Sequence, residues 1–216
     1  MIKRKQDKSK IPAVTINRLS IYFRCLNRLL ETSESRNLKT ISSHKISQLT
    51  AINSTQVRKD LAYFGEFGKR GIGYPVNHLN EAIRKILGLD KKWNIIIAGA
   101  GNLGKALADY KGFKKKGFLI KGIFDIEPEK IGKNIGHILV YNIEDMQELI
   151  TKWNIQIGVI AVPADAAQNI ANKMVAGGVQ SILNFAPVSL VTFPGIRIKN
   201  VDLSIELEGL TYYLNT

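Results

Sequence analysis

Ile16, Leu19, Phe23, Leu26 and Leu30 recur at steps of three and four residues, the spacing of one helix face, and Thr15 stands where it can cap that helix. The segment "TISSHKISQLT" predicts a shorter second helix capped by Ser43. After the tight connection "AINS", Ser54 is placed to cap a third helix running to Phe64. Helix, short turn and helix is the layout of a helix-turn-helix. On the third helix Val57, Leu61 and Phe64 share one stripe and should face a core. Thr55, Lys59 and Ala62 point the other way, with Gln56, Arg58 and Tyr63 on the flanks.

The pattern then breaks at "GEFGKRGIGY". Gly68 and Gly71 bracket Lys69 and Arg70, which predicts a hairpin with a cationic tip. Phe67 and Ile72 flank that tip and are expected to pin its base to the core. A helix near "HLNEAIRKIL" follows, with Gly88 at its end and "LDKK" as a linker. Beyond it the period changes. The apolar runs "WNIIIAGAG", "FLIKGIF", "IQIGVIAV" and "VQSILNF" alternate with helical segments, among them one that starts at Asn142 and one that ends at Gly177 and Gly178. Fully apolar strands alternating with helices predict a doubly wound parallel α/β sheet. At the end, Leu203, Leu207, Leu210 and Leu214 form a stripe on a terminal helix too short to stand alone. That helix must dock, either on its own domain or on a second subunit. The expected organisation is a front domain over 1–88, a nucleotide fold over 89–200 and a terminal helix over 201–216.

Charge sharpens this division. Net charge is +13, and residues 1–85 hold 17 Lys and Arg against 6 Asp and Glu, while the remainder holds 14 against 12. The excess sits in the front part, which points to a polyanion as its partner. The outer face of the third helix suits a major groove. Lys or Arg donates to guanine, Gln pairs with adenine, and a Thr methyl touches thymine. Ser54 opens the helix, whose N-terminus can face a phosphate, and the Lys69-Arg70 tip suits a narrow minor groove. A basic tail from Lys3 to Lys10 precedes all of this.

Gly99-Ala100-Gly101-Asn102-Leu103-Gly104 follows a strand-like run and opens a helix, the context in which a GxGxxG sequence binds a dinucleotide. Asp125, 21 residues after Gly104, ends the next strand. A carboxylate there binds both ribose hydroxyls and repels a 2′-phosphate, which favours NAD over NADP. Catalytic machinery is missing. The rear part holds a single histidine, His137, and one arginine after residue 90, Arg197. Neither a substrate domain nor an evident acid–base pair accompanies the fold, so binding without turnover is the simpler reading. A single cysteine, Cys25, excludes an intramolecular disulfide and metal ligation by cysteines. No export signal or membrane-spanning run is present, so the chain reads as cytoplasmic.

Taken together, "QVRKDLAYFGEFGKRGIGY", "AGAGNLGKALADYKGF", "FDIEPEKIG", "AVPADAAQ", "ILNFAPV" and "NVDL" resemble, in order, the Rex family of redox-sensing transcriptional repressors. The resemblance covers about Ile11 to Leu214. It implies a homodimer of winged-helix and Rossmann domains in which the terminal helix swaps between subunits. It further implies sensing of the NADH/NAD+ ratio, binding of palindromic double-stranded operator DNA and release by NADH, with no metal. Arg24, Tyr110 and Asp202 match a switching network of that family, and Tyr110 also counts among its cofactor-binding positions. Leu203 replaces a phenylalanine found in some members. Two other classes compete: a small NAD-dependent oxidoreductase, and a CoA-binding module like those of acyl-CoA ligases.

Overall fold

The computed structural model describes residues 11–31, 38–69, 71–191 and 193–214. The basic tail and Arg70 lie outside the described residues. The chain divides into two compact units, Met1–Lys91 and Lys92–Thr216.

The front unit contains α1 (Ala13–Glu31), β1 (Thr40–Ile41), α2 (Ser43–Thr50), α3 (Ser54–Ala62), β2 (Tyr74–Pro75) and α4 (Val76–Ile86). Leu19, Tyr22, Leu26, Ile46, Val57, Leu61, Leu79 and Ile83 close one core between the four helices. The antiparallel pair β1–β2 carries the hairpin that follows α3. Three sequence-based caps are displaced. Ser42, not Ser43, caps α2, accepting from the Lys45 N–H at 3.0 Å. Asn53, not Ser54, caps α3, accepting from the Thr55 N–H at 2.8 Å. Each site offers two adjacent capping side chains, and the one on extended backbone takes the role. Thr15 lies inside α1, which opens at Ala13, and its side chain is buried.

Thr15 is buried because it helps to fill Asp60. This carboxylate is 0% exposed. Arg18 grips it with Nε on Oδ2 at 2.6 Å and Nη2 on Oδ1 at 2.7 Å. Tyr22 Oη donates to Oδ2 at 2.8 Å, and Thr15 Oγ1 to Oδ1 at 3.2 Å. Gln56 Nε2 donates to Oδ1 at 2.8 Å. Burial alone would raise the Asp60 pKa. The hydrogen bonds from Arg18, Tyr22 and Gln56, with the Arg18 charge, outweigh burial and hold it below the ordinary carboxylate value.

In the rear unit, β3 (Trp93–Ala98), β4 (Phe118–Asp125), β5 (Asn134–Ile135), β6 (Ile138–Asn142), β7 (Ile157–Ile160), β8 (Ser181–Asn184) and β9 (Arg197–Asn200) form one sheet in the order β5-β6-β4-β3-β7-β8-β9. All neighbours are parallel except β5–β6. Its helices are α5 (Asn102–Ala108), α6 (Lys111–Lys115), α7 (Met146–Lys152), α8 (Ala164–Ala176) and α9 (Leu203–Leu214). Starting from β3, the chain builds outward through β4 and β6, then returns to the other side of β3 with β7, β8 and β9. This is the doubly wound dinucleotide-fold order, with its switch point between β3 and β7. Asn142 caps the short helical turn Ile143–Asp145 that leads into α7, as the sequence predicts. The β5–β6 hairpin and β9 are additions to the sequence-based picture. No helix among the described residues is long and apolar enough to cross a membrane.

Because its pKa is lowered in the fold, Asp60 contributes stability that is present above the ordinary carboxylate range. That stability is lost as pH falls through the lowered folded value. Asp60→Asn should therefore cost about 3–5 kcal/mol at neutral pH and flatten the acid-side loss of front-unit stability. Urea midpoints followed by circular dichroism down to about pH 3 check this. An unchanged acid-side slope in the variant would assign the titration to another group.

Candidate functional site

On α3, Thr55, Arg58 and Lys59 are exposed together, and Tyr63 is partly exposed where the helix ends. Val57 and Leu61 are buried on the opposite stripe, as the periodicity predicts. Arg58 is pre-set across two helices. Its Nη1 donates to Ser43 Oγ and its Nη2 to Thr55 Oγ1, both at 3.0 Å. Ser54 is half-buried at the first helical position. Gln56 is also half-buried, and its amide donates inward to Asp60.

Beyond α3, Lys69 and Gly73 bridge the hairpin by mutual backbone hydrogen bonds of 3.3 and 3.1 Å. Gly73 needs its glycine twice over. Its φ is +90°, and a β-carbon there would meet the Ile41 carbonyl oxygen at 2.6 Å. Phe67 packs on the front core, but Ile72 is 63% exposed and pins nothing. The left-handed glycines on either side of Ile72 turn it out at the tip.

The cradle of the rear unit begins where β3 ends. Gly99 has φ +102°, and a β-carbon on it would strike the Ala161 carbonyl oxygen beyond β7. A β-carbon on Gly104 would strike the carbonyl oxygen of Gly99 itself. The two glycines thus let α5 close down on the turn. Gly101 differs: a β-carbon there would meet nothing within 4 Å. It is the cap residue of α5 and supplies no side-chain hydrogen bond to the helix start. Gly101, Asn102 and Leu103 are exposed. That is an open approach to uncapped N–H groups, the geometry that accommodates a pyrophosphate.

Asp125, at the end of β4, is 8% exposed and tied to the same loop. Its Oδ2 accepts from the Ala100 N–H at 2.6 Å, and its Oδ1 from the Glu127 N–H at 3.0 Å. Lys130 Nζ lies 3.7 Å from Oδ2 and 2.6 Å from Glu127 Oε1. Burial would raise the Asp125 pKa, but the Glu127 and Ala100 N–H groups and the Lys130 charge outweigh it, so the carboxylate stays ionised. A carboxylate has about four acceptor positions. Two are filled by N–H groups, so capacity remains for ribose hydroxyls. The residues present fit a dinucleotide.

The remaining sequence-derived candidates stand on other elements. Tyr110 follows α5, is 56% exposed and stacks edge-on against Phe113 at 5.1 Å. With Phe118, Lys121 and His137 it lines a cavity of about 920 Å³ beside the start of β4, whereas Asp125 sits at that strand's end. Arg24 is exposed on α1. Asp202 Oδ1 accepts from the Ser204 N–H at 2.9 Å and so caps α9. Two residues escaped the sequence reading. Lys130 is a charge partner of Asp125 whose only sequence signal is its place in "DIEPEK". Asn184, buried at the end of β8, donates to the Val188 carbonyl at 2.8 Å and to Asn200 Oδ1 at 3.1 Å, shaping the turn after that strand.

A winged helix-turn-helix unit joined to a Rossmann unit defines a two-domain α/β protein. Comparisons with known proteins narrow this class. A family model described as "Putative DNA-binding protein N-terminus" matches residues 10–62, and one described as "CoA binding domain" matches residues 90–188. The redox-sensing transcriptional repressor Rex of Pelotomaculum thermopropionicum is 52% identical over 95% of this chain and 94% of its own. That of Desulforamulus reducens is 49% identical over 95% and 96%. Among solved structures, RSP in complex with β-NAD+ and operator DNA matches with a TM-score of 0.89 and 41% identity, covering 95% of this chain and 93% of that one. RSP in complex with β-NADH matches at 0.85 and 39%, covering 96% of each. The chain belongs to the Rex family of redox-sensing transcriptional repressors.

The contrast between two glycines tests the cradle. Gly104→Ala should destabilise the rear unit by about 1–3 kcal/mol through overpacking. Unfolding read by tryptophan fluorescence measures this, since Trp93 and Trp153 both lie there. Gly101→Ala should change stability by less than about 1 kcal/mol yet weaken dinucleotide binding at least as much as Gly104→Ala does. Unimpaired binding by the Gly101 variant would move the ligand off this loop.

Proposed function

We propose that this chain is a repressor that senses the NADH/NAD+ ratio, binding palindromic operator DNA as a homodimer and leaving it when NADH binds. One observation carries the reading: a single chain joins the exposed α3 face to an open glycine cradle backed by an ionised Asp125. A 41%-identical chain of the same fold was solved with both β-NAD+ and operator DNA. Thr55, Arg58 and Lys59 meet base edges and phosphates in the major groove, with Ser54 and Tyr63 at the ends of the helix. Lys69 and the neighbouring Arg70 enter the minor groove. Gly99 to Gly104 hold the pyrophosphate, and Asp125 meets the adenosine ribose. The setting is the cytoplasm, where both the operator and the dinucleotide pool are found.

The homodimer is supported by α9. Leu203, Leu207, Leu210 and Leu214 are 61–83% exposed, and a helix of this length needs cover. A second subunit provides it by exchange of the helix. Arg24, Tyr110 and Asp202 then form the switch, with Asp202 changing partners as NADH arrives.

The deciding experiment is an operator-shift titration with NADH, NAD+ and CoA in parallel. NADH should release the DNA at concentrations where NAD+ and CoA do not. Equal effects of NADH and NAD+ would overturn the sensor reading, and release by CoA alone would favour the CoA module.

Asp202 offers a finer test because it also caps α9. Asp202→Asn keeps a capping oxygen and loses the charge. NADH should bind this variant while losing most of its power to release DNA, a coupling deficit of about 1.5–3 kcal/mol. Parallel calorimetry and operator-shift titrations measure the two quantities. A normal NADH response in the Asn variant would leave Asp202 with capping alone.

A further inference from the structure

We propose that Asp60 is a positioning residue for DNA reading, and that Gln56 serves it as a brace instead of pairing with adenine. The inference rests on reading α3 as the helix that enters the major groove.

Five donors converge on one fully buried carboxylate, and they come from two helices. Arg18, Tyr22 and Thr15 reach it from α1, and Gln56 reaches it from α3, one turn before Asp60 itself. Among the described residues no buried side-chain polar atom lacks a partner, so this cluster is complete as it stands. Apolar packing between the helices is non-directional and would tolerate some rotation of α3. The planar two-point grip of Arg18 does not, because it fixes both the distance and the plane of the carboxylate. The reading residues lie around the helix from Asp60, so its setting becomes theirs. A rotation of about 20° swings an atom at the helix's outer radius of about 5–6 Å by about 2 Å. A hydrogen bond to a base edge survives far less.

Gln56 is held by the same device. Its amide nitrogen is 2.8 Å from Asp60 Oδ1 and the residue is half-buried. Turning it out to an adenine would break a bond to a charged, buried acceptor, a penalty of about tenfold or more in affinity. The open side of α3 is left to Thr55, Arg58 and Lys59. Arg58 is oriented in its turn by Ser43 and Thr55. The clamp thus sets the aim of α3, and the exposed residues do the reading.

The test uses the full chain and duplexes that the natural chain selects from a random-sequence pool. Affinity is measured for the selected duplex, each of its single base-pair variants, and an unselected duplex of equal length. Gln56→Ala should weaken all the selected-family duplexes by a common factor and leave the profile across positions within about twofold of natural. A profile that flattens at one base pair would show Gln56 reading that pair and overturn the brace. Tyr22→Phe removes one donor and retains the ring. It should lower affinity for the selected duplex about tenfold while the unselected duplex, held through phosphates, changes less than about twofold. Thermal melts confirm that both variants are folded at the assay temperature. Natural selectivity in Tyr22→Phe overturns the positioning role. If the natural chain selects no sequence at all, the reading of α3 falls, and the clamp with it.

Discussion

Withdrawing a carboxylate from water costs several kcal/mol unless its oxygens are filled with donors. Among the described residues this happens at Asp60 in the front unit and at Asp125 in the rear. Asp60 is filled by side chains of α1 and α3, so the charge can be satisfied only when the two helices meet in one geometry. Asp125 is held by main-chain N–H groups, one from the glycine turn and one from the segment after β4, with Lys130 beside it. Satisfying it ties the turn after β3 to the end of β4. In both places a penalty that would unfold a poorly matched structure is converted into positional accuracy. The positioned surface is a helix face in the front unit and a phosphate-sized loop in the rear.

The two devices differ in how visible they are in the sequence. The cradle is legible because its constraint is local. Gly99 and Gly104 answer to a backbone angle and close contacts that only glycine meets, Gly101 completes the spacing, and Asp125 follows at the distance a strand–helix–strand unit dictates. The Rossmann alternation is legible for a similar reason, since β3, β7 and the second half of β4 are buried along consecutive residues and, with β8, read as apolar runs. Asp60 is illegible because its α1 partners are 38–45 residues away. In the sequence it is one acid inside "VRKDLAY", and Tyr22 and Thr15 do not stand out on α1 as core positions. Caps fall one residue off at Ser42 and Asn53, where two capping side chains stand side by side and only the backbone angle decides. Ile72 was expected to be anchored because it is apolar. It sits between two left-handed glycines whose geometry takes precedence over burial. The short β5–β6 hairpin and the edge strand β9, "RIKN", carry too little hydrophobic pattern to be read.

The division between units has an energetic counterpart. The glycine cradle and the α3 face each rest on a core of their own unit. A ligand in one can influence the other only if it binds one arrangement of the whole assembly better than another. Nothing in the cradle's own geometry supplies that difference. The element left over is α9, whose leucines are exposed and whose first turn is held by Asp202. In the proposed dimer, a helix with an unmet apolar face and a charged hinge is suited to carry the difference, because its docking and its charge pairing would change together.

Magnitudes then bear on why such a helix would be exchanged in a dimer. Moving a two-state equilibrium from 1:99 to 99:1 takes about 5.5 kcal/mol of differential binding. A single carboxylate that trades one charge-assisted partner for another supplies about 1.5–3 kcal/mol. Alone, it shifts populations by a modest factor and leaves much of the DNA bound. Two-fold symmetry changes this. If both copies of α9 must move together, two Asp202 exchanges and two nucleotides act on one equilibrium, and their contributions add to about 3–6 kcal/mol. In the proposed homodimer the same symmetry would present two α3 faces to the two halves of a palindrome. One operation would then double both the affinity term that holds DNA and the coupling term that releases it. A monomer with the same residues would read half the site and respond with half the switch.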